Sequence, residues 1–247
     1  ITNSSNSGII SVAGSVTHAY AGGIAAYTEG EVTVTDCTNS GEVNADDETS
    51  NTAAFKRCAG GVVGYHNTGT LSILRSINTG EVIGYNYAGG MIGHIISTGF
   101  CDVKYCYNNG AITSNYTKDV ESPSYASGIV GYTGNYNWDQ QVVEYCLNAG
   151  SVTNNASNGS TLQVAYNPSS SYYYCENTAY DTSGTIYDGT IDGLANVLNT
   201  GLEIGSEFWG MVDDVIKPLS LTLFKVTRSG ETCYYSTFES AAIALQD

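Results

Sequence analysis

At 247 residues the chain is long enough to bury a sizeable core. It carries 24 Asp and Glu against 8 scattered Lys and Arg, a formal charge of −16 that repels nucleic acid and anionic membrane surfaces. No apolar run approaches the ~20 residues that cross a bilayer, no signal-peptide succession occurs, and 29 glycines with 3 prolines favour short strands and tight turns over long helices.

From the first residue one pattern recurs. Its anchors are Asn6, Asn39, Asn78, Asn108, Asn148 and, more weakly, Asn177. Two residues before them stand Ser4, Cys37, Ser76, Cys106, Cys146 and Cys175; two after stand Gly8, Gly41, Gly80, Gly110 and Gly150. Apolar residues hold the places five before (Ile1, Val34, Ile73, Val103, Val143, Tyr172) and four after (Ile10, Val43, Val82, Ile112, Val152). A register kept at five positions defines a repeat protein. Ile1 already occupies a repeat column, the expectation for a piece of a longer multidomain chain whose targeting signal lies outside it.

A second element separates the anchors. It reads Ala21-Gly22-Gly23-Ile24-Ala25-Ala26-Tyr27, then Ala59 to Tyr65, Ala88 to His94 and Ala126 to Tyr132. Each copy is short, apolar and glycine-flanked, as a buried strand is. With one strand before the Cys-x-Asn step and one after the glycine, a repeat of about 30 to 40 residues holds three strands. The predicted fold is all-β, a right-handed parallel β-helix of about five three-stranded coils over residues 1–190.

The asparagines Asn39, Asn78, Asn108 and Asn148 are expected to be buried and to stack as an amide ladder, since a side-chain amide both donates and accepts. Cys37, Cys106, Cys146 and Cys175 read as small packed thiols rather than bridges, because serine stands in the same column. The columns five and two before the asparagine have opposite strand parity, so a bend is expected three residues before it.

Coil length varies at one place. The connection is long over Asn44 to Cys58 and Thr113 to Tyr125 but short over Ile83 to Tyr87, so the insertions emerge on one side, where repeat proteins carry binding function. This side is acidic, with Asp46, Asp47 and Glu48 in the first insertion and Asp119 and Glu121 in the second. After Asn148 the pattern decays. Asp192 to Leu198 shows helical periodicity with Asp192 as cap and Gly201 as stop. Phe208-Trp209, Met211-Val212 and Val215 to Leu219 read as short strands, with Asp213-Asp214 at a turn. Leu219 to Thr227 and Thr232 to Tyr235 form a hairpin, and Ser236 with Glu239 opens a helix over Phe238 to Leu245. Residues 191–247 are thus a small α+β C-terminal cap or the start of a further domain.

The Gly-Gly-aliphatic segments followed by Cys-x-Asn-x-Gly-x-Val resemble the GLUG-type repeats of bacterial surface proteins, including the repeat regions of immunoglobulin A1 protease precursors of the zinc-metallopeptidase kind. The resemblance covers roughly Ile1 to Asn177, and Leu198 to Trp209 is similar to the segment that closes such arrays. It implies a secreted or cell-surface β-helix, adhesin-like or a stalk. It implies no catalytic residue here: the His-Glu-x-x-His signature is absent, and His18, His66 and His94 are isolated in sequence.

The chemistry read from the residues is sparse. No cofactor or metal motif occurs, and the calcium-loop spacing is absent from the acidic insertions. His94 takes a tyrosine's place in its column and reads as structural. Aromatic rings are the better signal, since they stack on sugars and anchor protein partners. Tyr27, Tyr65 and Tyr132 form a column that is either an exposed stripe or buried. Tyr116, Tyr125, Tyr136 and Trp138 lie in or beside the insertions and, with Asp46 and Asp47, are the candidate contacts for a glycan or a host or matrix protein. The alternative is a polysaccharide lyase or hydrolase on the same scaffold, with Asp46, Asp47, Asp102, Asp119, Glu121 and Asp139 as candidate acids.

Overall fold

The computed structural model describes residues 1–12, 18–46, 56–96, 98–116, 124–134, 141–156, 159–162, 172–173, 176–177, 191–203, 206–212, 215–221, 224–228, 231–235, 237 and 242. The chain forms two compact units, Ile1–Ile186 and Tyr187–Asp247.

The first unit is nearly all β, and every strand pairing among its described residues is parallel, in sheets stacked as in a β-helix or solenoid. Sheet A takes the strand before each asparagine step: Val32–Thr35, Gly69–Leu74, Gly99–Lys104, Gln141–Glu144 and Tyr172–Tyr173. Sheet B takes the asparagines, from β1 (Ser5–Asn6) through Thr38–Asn39, Ile77–Asn78, Tyr107–Asn108 and Leu147–Asn148 to Glu176–Asn177. Sheet C begins with β2 (Ile10–Ser11) and continues through Val43–Ala45, Val82–Gly84, Ile112–Ser114 and Val152–Asn154. The Ala-Gly-Gly element is divided between sheet D, which includes His18–Gly22 and Lys56–Gly60, and sheet E, which includes Ala25–Thr28 and Val63–His66. Registers follow the sequence columns: Asn6, Asn39, Asn78, Asn108, Asn148 and Asn177 are successive partners.

Three strands per coil is therefore corrected to five short segments. The asparagine is a two-residue strand of its own. The glycine-rich segment breaks after its first glycine, because the N–H groups of Ile24 and Ala25 both reach the Val62 carbonyl at 3.0 Å, and those of Val62 and Val63 both reach Met91. Two donors on one carbonyl are the mark of a bulge, which turns the strand.

The bend expected three residues before each asparagine is a left-handed residue: Asn3, Asp36, Arg75, Tyr105 and Tyr145 have φ between 46° and 55°. This single reversal lets the apolar residue five before and the small residue two before both point inward. Val34, Ile73, Val103 and Cys37, Cys106, Cys146 are all fully buried in one cluster with Val62, Met91, Ile92 and Ile129. A second cluster joins Val43, Val82 and Ile112 of sheet C to Ala21, Ala59, Ala88 and Ala126 of sheet D. Between the two lobes runs the asparagine line. A methyl group on Gly90 would lie 2.6 Å from Cγ of Asn108, and one on Gly23 2.5 Å from Cγ of Asn39. The second glycine of each Gly-Gly pair thus makes room for the amide of the same layer, so the two sequence motifs are halves of one contact.

In the second unit, α1 (Ile191–Leu198) ends before Gly201, whose φ is 86°. A four-stranded sheet has the spatial order Val215–Pro218, Trp209–Val212, Glu231–Tyr235 and Phe224–Arg228, with Trp209–Val212 and Glu231–Tyr235 central. The strand expected from Leu219 starts later, because Leu219–Leu221 form a turn of 3-10 helix held by Leu219 N–H on Phe208 O at 2.8 Å. The Asp213-Asp214 turn and nearly all of the helix expected over Phe238 to Leu245 lie outside the described residues. No described helix is long and apolar enough to cross a membrane.

Candidate functional surface

The most ordered polar feature is internal. Asn6 Nδ2 donates to Asn39 Oδ1 at 2.8 Å, Asn39 to Asn78 at 2.8 Å, Asn78 to Asn108 at 2.7 Å and Asn108 to Asn148 at 2.7 Å. Each amide gives its second proton to the carbonyl of the glycine two residues on, at 2.8 to 3.0 Å. Asn39, Asn78, Asn108 and Asn148 have no solvent exposure. Such satisfied amides contribute about 1 kcal/mol per hydrogen bond, less than the ~1.5–3 kcal/mol for each buried Val or Ile beside them. The ladder's main effect is on register: a one-residue slip would orphan a row of buried amides.

The column two before the asparagine follows the same economy. Cys37 Sγ lies 3.3 Å from Thr35 O, Cys106 Sγ 3.3 Å from Lys104 O and Cys146 Sγ 3.2 Å from Glu144 O. Ser4 and Ser76 hydroxyls make the equivalent bond at 3.2 and 3.0 Å. Thiol and hydroxyl are interchangeable here because both are small and donate to the carbonyl two residues back. Cys37, Cys106 and Cys146 are unbridged; Cys175 lies outside the described residues.

On the insertion side, Asp46, half-buried, takes Asn115 Nδ2 on Oδ2 at 2.7 Å, and Asn155 Nδ2 continues to Asn115 Oδ1 at 2.7 Å. Tyr116 and Tyr125, expected to face a ligand, are instead 2 % and 8 % exposed. Tyr116 meets the Tyr85 ring edge-on at 5.2 Å, and the Arg57 guanidinium lies 5.8 Å from that same ring. Tyr125 stacks on Tyr132 at 5.0 Å. A ring with 150–250 Å² of apolar area gains more from such packing than from waiting in water. Asp47, Tyr136 and Trp138 lie outside the described residues, as do Asp119, Glu121 and Asp139.

The tyrosine column of sheet E is partnered by one that sequence reasoning missed. Tyr20, Cys58, Tyr87 and Tyr125 stand in register in sheet D beside Tyr27, Tyr65, His94 and Tyr132 in sheet E. The residue before each Ala-Gly or Ala-Ser step was the available signal. Tyr20 stacks on Tyr65 at 4.2 Å and Tyr87 on Tyr132 at 4.8 Å, with the His94 ring 4.7 Å from that of Tyr87. Burial raises the phenol pKa of Tyr20 and of Tyr65. Among the described members of the sheet E column, Tyr65 and His94 are buried, Tyr132 is half-buried and Tyr27 is 47 % exposed. His66, in the next column of sheet E, is buried, with Nδ1 3.0 Å from Thr28 Oγ1 and Nε2 2.9 Å from Gly69 O. Burial holds its pKa below 6.5, against the pull of the Gly69 carbonyl and of Glu31.

Sheet A carries the most open chemistry. Glu31, Thr70, Phe100, Asp102, Lys104 and Val142 line a groove of about 420 Å³. Lys104 Nζ is 3.1 Å from Asp102 and 3.3 Å from Glu144, so two carboxylates share one cation. These ion pairs raise the Lys104 pKa despite a desolvation effect of opposite sign. Below the groove, burial pushes the Cys101 thiol to about 12, and its Sγ lies 3.1 Å from Gln141 Oε1. In the second unit a hollow of about 370 Å³ is bordered by Trp209, Met211, Leu219 and Tyr234. Asn199 serves structure there, accepting from the Phe208 and Trp209 N–H groups at 3.0 and 2.9 Å. Among the described residues no group of three His, Cys, Asp or Glu is placed to hold a metal ion.

Comparison with protein-family models, curated proteins and solved structures finds no match to this chain.

Proposed function

We propose that the chain is a non-catalytic module of an extracellular bacterial surface protein of the GLUG-repeat type, a right-handed parallel β-helix of about five coils that acts as an adhesin-like binding or spacer segment. The observation that carries this reading is the asparagine ladder, continuous from Asn6 to Asn148. A regular file of this kind belongs to a scaffold whose coils are mutually interchangeable, and its polar groups are consumed in holding coil to coil. Binding then falls to the exterior, where the sheet A groove combines a Phe100 ring with the polar groups of Thr70, Asp102 and Lys104. That mixture suits a glycan or a polar stretch of a host or matrix protein.

The test is binding of the purified chain to glycan arrays and immobilised matrix proteins. Capture of one ligand class, weakened by Phe100→Ala, supports an adhesin, and a chain that binds nothing while keeping its cooperative fold supports a spacer. Depolymerisation of a polysaccharide by the pure protein overturns both. That outcome belongs to the second reading, a polysaccharide lyase or hydrolase, favoured by Asp102 and Glu144 meeting at Lys104. Asp102→Asn would then abolish the activity.

A further inference from the structure

Each coil turns out of sheet A through one residue of left-handed backbone, and successive corner residues are neighbours across the coils. Arg75 N–H donates to Lys104 O at 3.1 Å and Tyr105 N–H to Glu144 O at 3.2 Å. Lys104 pairs with Glu144 before the corner and Tyr107 with Leu147 after it, so the register is pinned on both sides. The corner side chains therefore meet in pairs. Arg75 Nε donates to Asp36 Oδ1 at 2.7 Å and its Nη2 to Oδ2 at 2.8 Å. Tyr105 and Tyr145 stack, with ring centroids 5.1 Å apart and planes 11° from parallel.

Two observations set the tyrosine pair apart. The first is conformation: φ is 53° at Tyr105 and 54° at Tyr145, in a region that asparagine and aspartate enter readily, as Asn3 and Asp36 do, and a bulky side chain enters at a cost. The bend by itself gives no reason for tyrosine. The second is access. Every other stacked tyrosine pair among the described residues includes a ring at most 8 % exposed, that of Tyr65, Tyr87 or Tyr125, whereas Tyr105 and Tyr145 are both half-buried. The next residues, Cys106 and Cys146, are fully buried thiols, so an oxidant outside the protein meets the phenols first.

We infer that Tyr105 and Tyr145 are a site of oxidative cross-linking, at which a haem-type peroxidase using hydrogen peroxide joins the two rings as dityrosine. Each phenol gives up one electron and its hydroxyl proton. The two phenoxyl radicals couple through ring carbons adjacent to the oxygen-bearing carbons, and the hydrogens on the coupled carbons move to the oxygens, restoring both phenols. Peroxide takes up the two electrons and two protons and leaves as two molecules of water. The fold supplies proximity: strands held in register keep the rings face to face, so coupling within the molecule outruns coupling between molecules. The new bond closes the loop from Tyr105 to Tyr145, a full repeat, and restricts the unfolded chain as a disulfide does.

The test treats the full chain with a haem peroxidase and hydrogen peroxide, isolates the monomer and maps its digest by mass spectrometry. The expected result is a linked pair of peptides carrying Tyr105 and Tyr145, two hydrogen atoms lighter than their sum, with dityrosine fluorescence. Tyr105→Phe and Tyr145→Phe each keep the ring and remove the phenol, so in both the link should vanish while circular dichroism stays that of the native fold. The linked monomer should unfold at higher urea concentration than the untreated chain, a shift absent from both treated variants. A monomer in which Tyr105 and Tyr145 stay unlinked overturns the site, as does equal linking of a chain first unfolded in urea. An unshifted urea midpoint in the linked monomer overturns the stapling of one coil to the next.

Discussion

Asn78 Nδ2 donates to Asn108 Oδ1 at 2.7 Å across 30 residues of chain. Replacing Asn78 by Ala leaves the Asn39 donor and the Asn108 acceptor without each other's line, both in fully buried positions. Each orphaned group costs about 1–3 kcal/mol. Urea unfolding of Asn78→Ala should therefore show a loss of at least ~2 kcal/mol, while Asn6→Ala, at the exposed end, loses less. Equal losses would remove burial as the cause.

The Cys106 column predicts tolerance of one substitution and not another. Cys106→Ser keeps the donor to Lys104 O, as Ser76 does to Leu74 O, and should cost less than ~1.5 kcal/mol. Cys106→Leu overpacks a fully buried corner and should cost about 1–3 kcal/mol or more. Thermal unfolding of the pair distinguishes them.

Thiol reactivity should divide by burial. Cys37, Cys58, Cys101, Cys106 and Cys146 are buried, Cys233 is exposed, and burial pushes Cys101 to about 12 and Cys106 well up. In native protein near pH 8, iodoacetamide followed by peptide mass spectrometry should label Cys233 and spare those five. All seven cysteines of the chain should label in denaturant.

Glycine substitutions should rank by what a methyl group meets. At Gly90 it meets Asn108 Cγ at 2.6 Å and the Gly128 carbonyl, so Gly90→Ala should cost about 3 kcal/mol or prevent folding. At Gly30 there is open space and only a left-handed φ of 78°, so Gly30→Ala should cost about 1–2 kcal/mol. Expression yield and unfolding midpoint report the order.

His66 should make stability fall with acid. Its folded pKa lies below the ordinary 6.5 because burial penalises the charged ring. Above 6.5 both states are neutral and the full stability is present. As pH drops from there to the folded pKa the unfolded chain takes up a proton first, and stability declines. Ile95 fills the same register position one coil on. Subtracting the stability–pH curve of His66→Ile from that of the native chain, between about pH 8 and pH 5, should isolate this decline; a flat difference removes His66 from it.

Much of this was legible in the chain itself. The apolar columns of Val34 and Val43, the small column of Cys37 and the amide column of Asn39 each recur because a stacked coil repeats one environment, and a repeated environment selects one residue type at one spacing. Even the bend at Asp36 followed from parity. The position is filled by Asn, Asp, Arg or Tyr, so residue type gave no hint, and only the conflict between two inward columns pointed there.

Where a column meets a different column, sequence spacing is silent. Nothing in the order of residues states that Gly90 lies on Asn108, that the Gly-Gly step is a bulge dividing five segments, or that Tyr20 and Tyr65 stack. Tyr116 and Tyr125 looked available because they border insertions, yet both are buried against neighbouring rings. By itself the sequence determined the parallel repeat, its register and its buried amide file, because those depend on identity at fixed intervals along one chain direction. The tertiary structure alone decided which columns share a lobe, which rings face water and where Lys104 gathers two carboxylates, because these depend on how the coil folds across its own section.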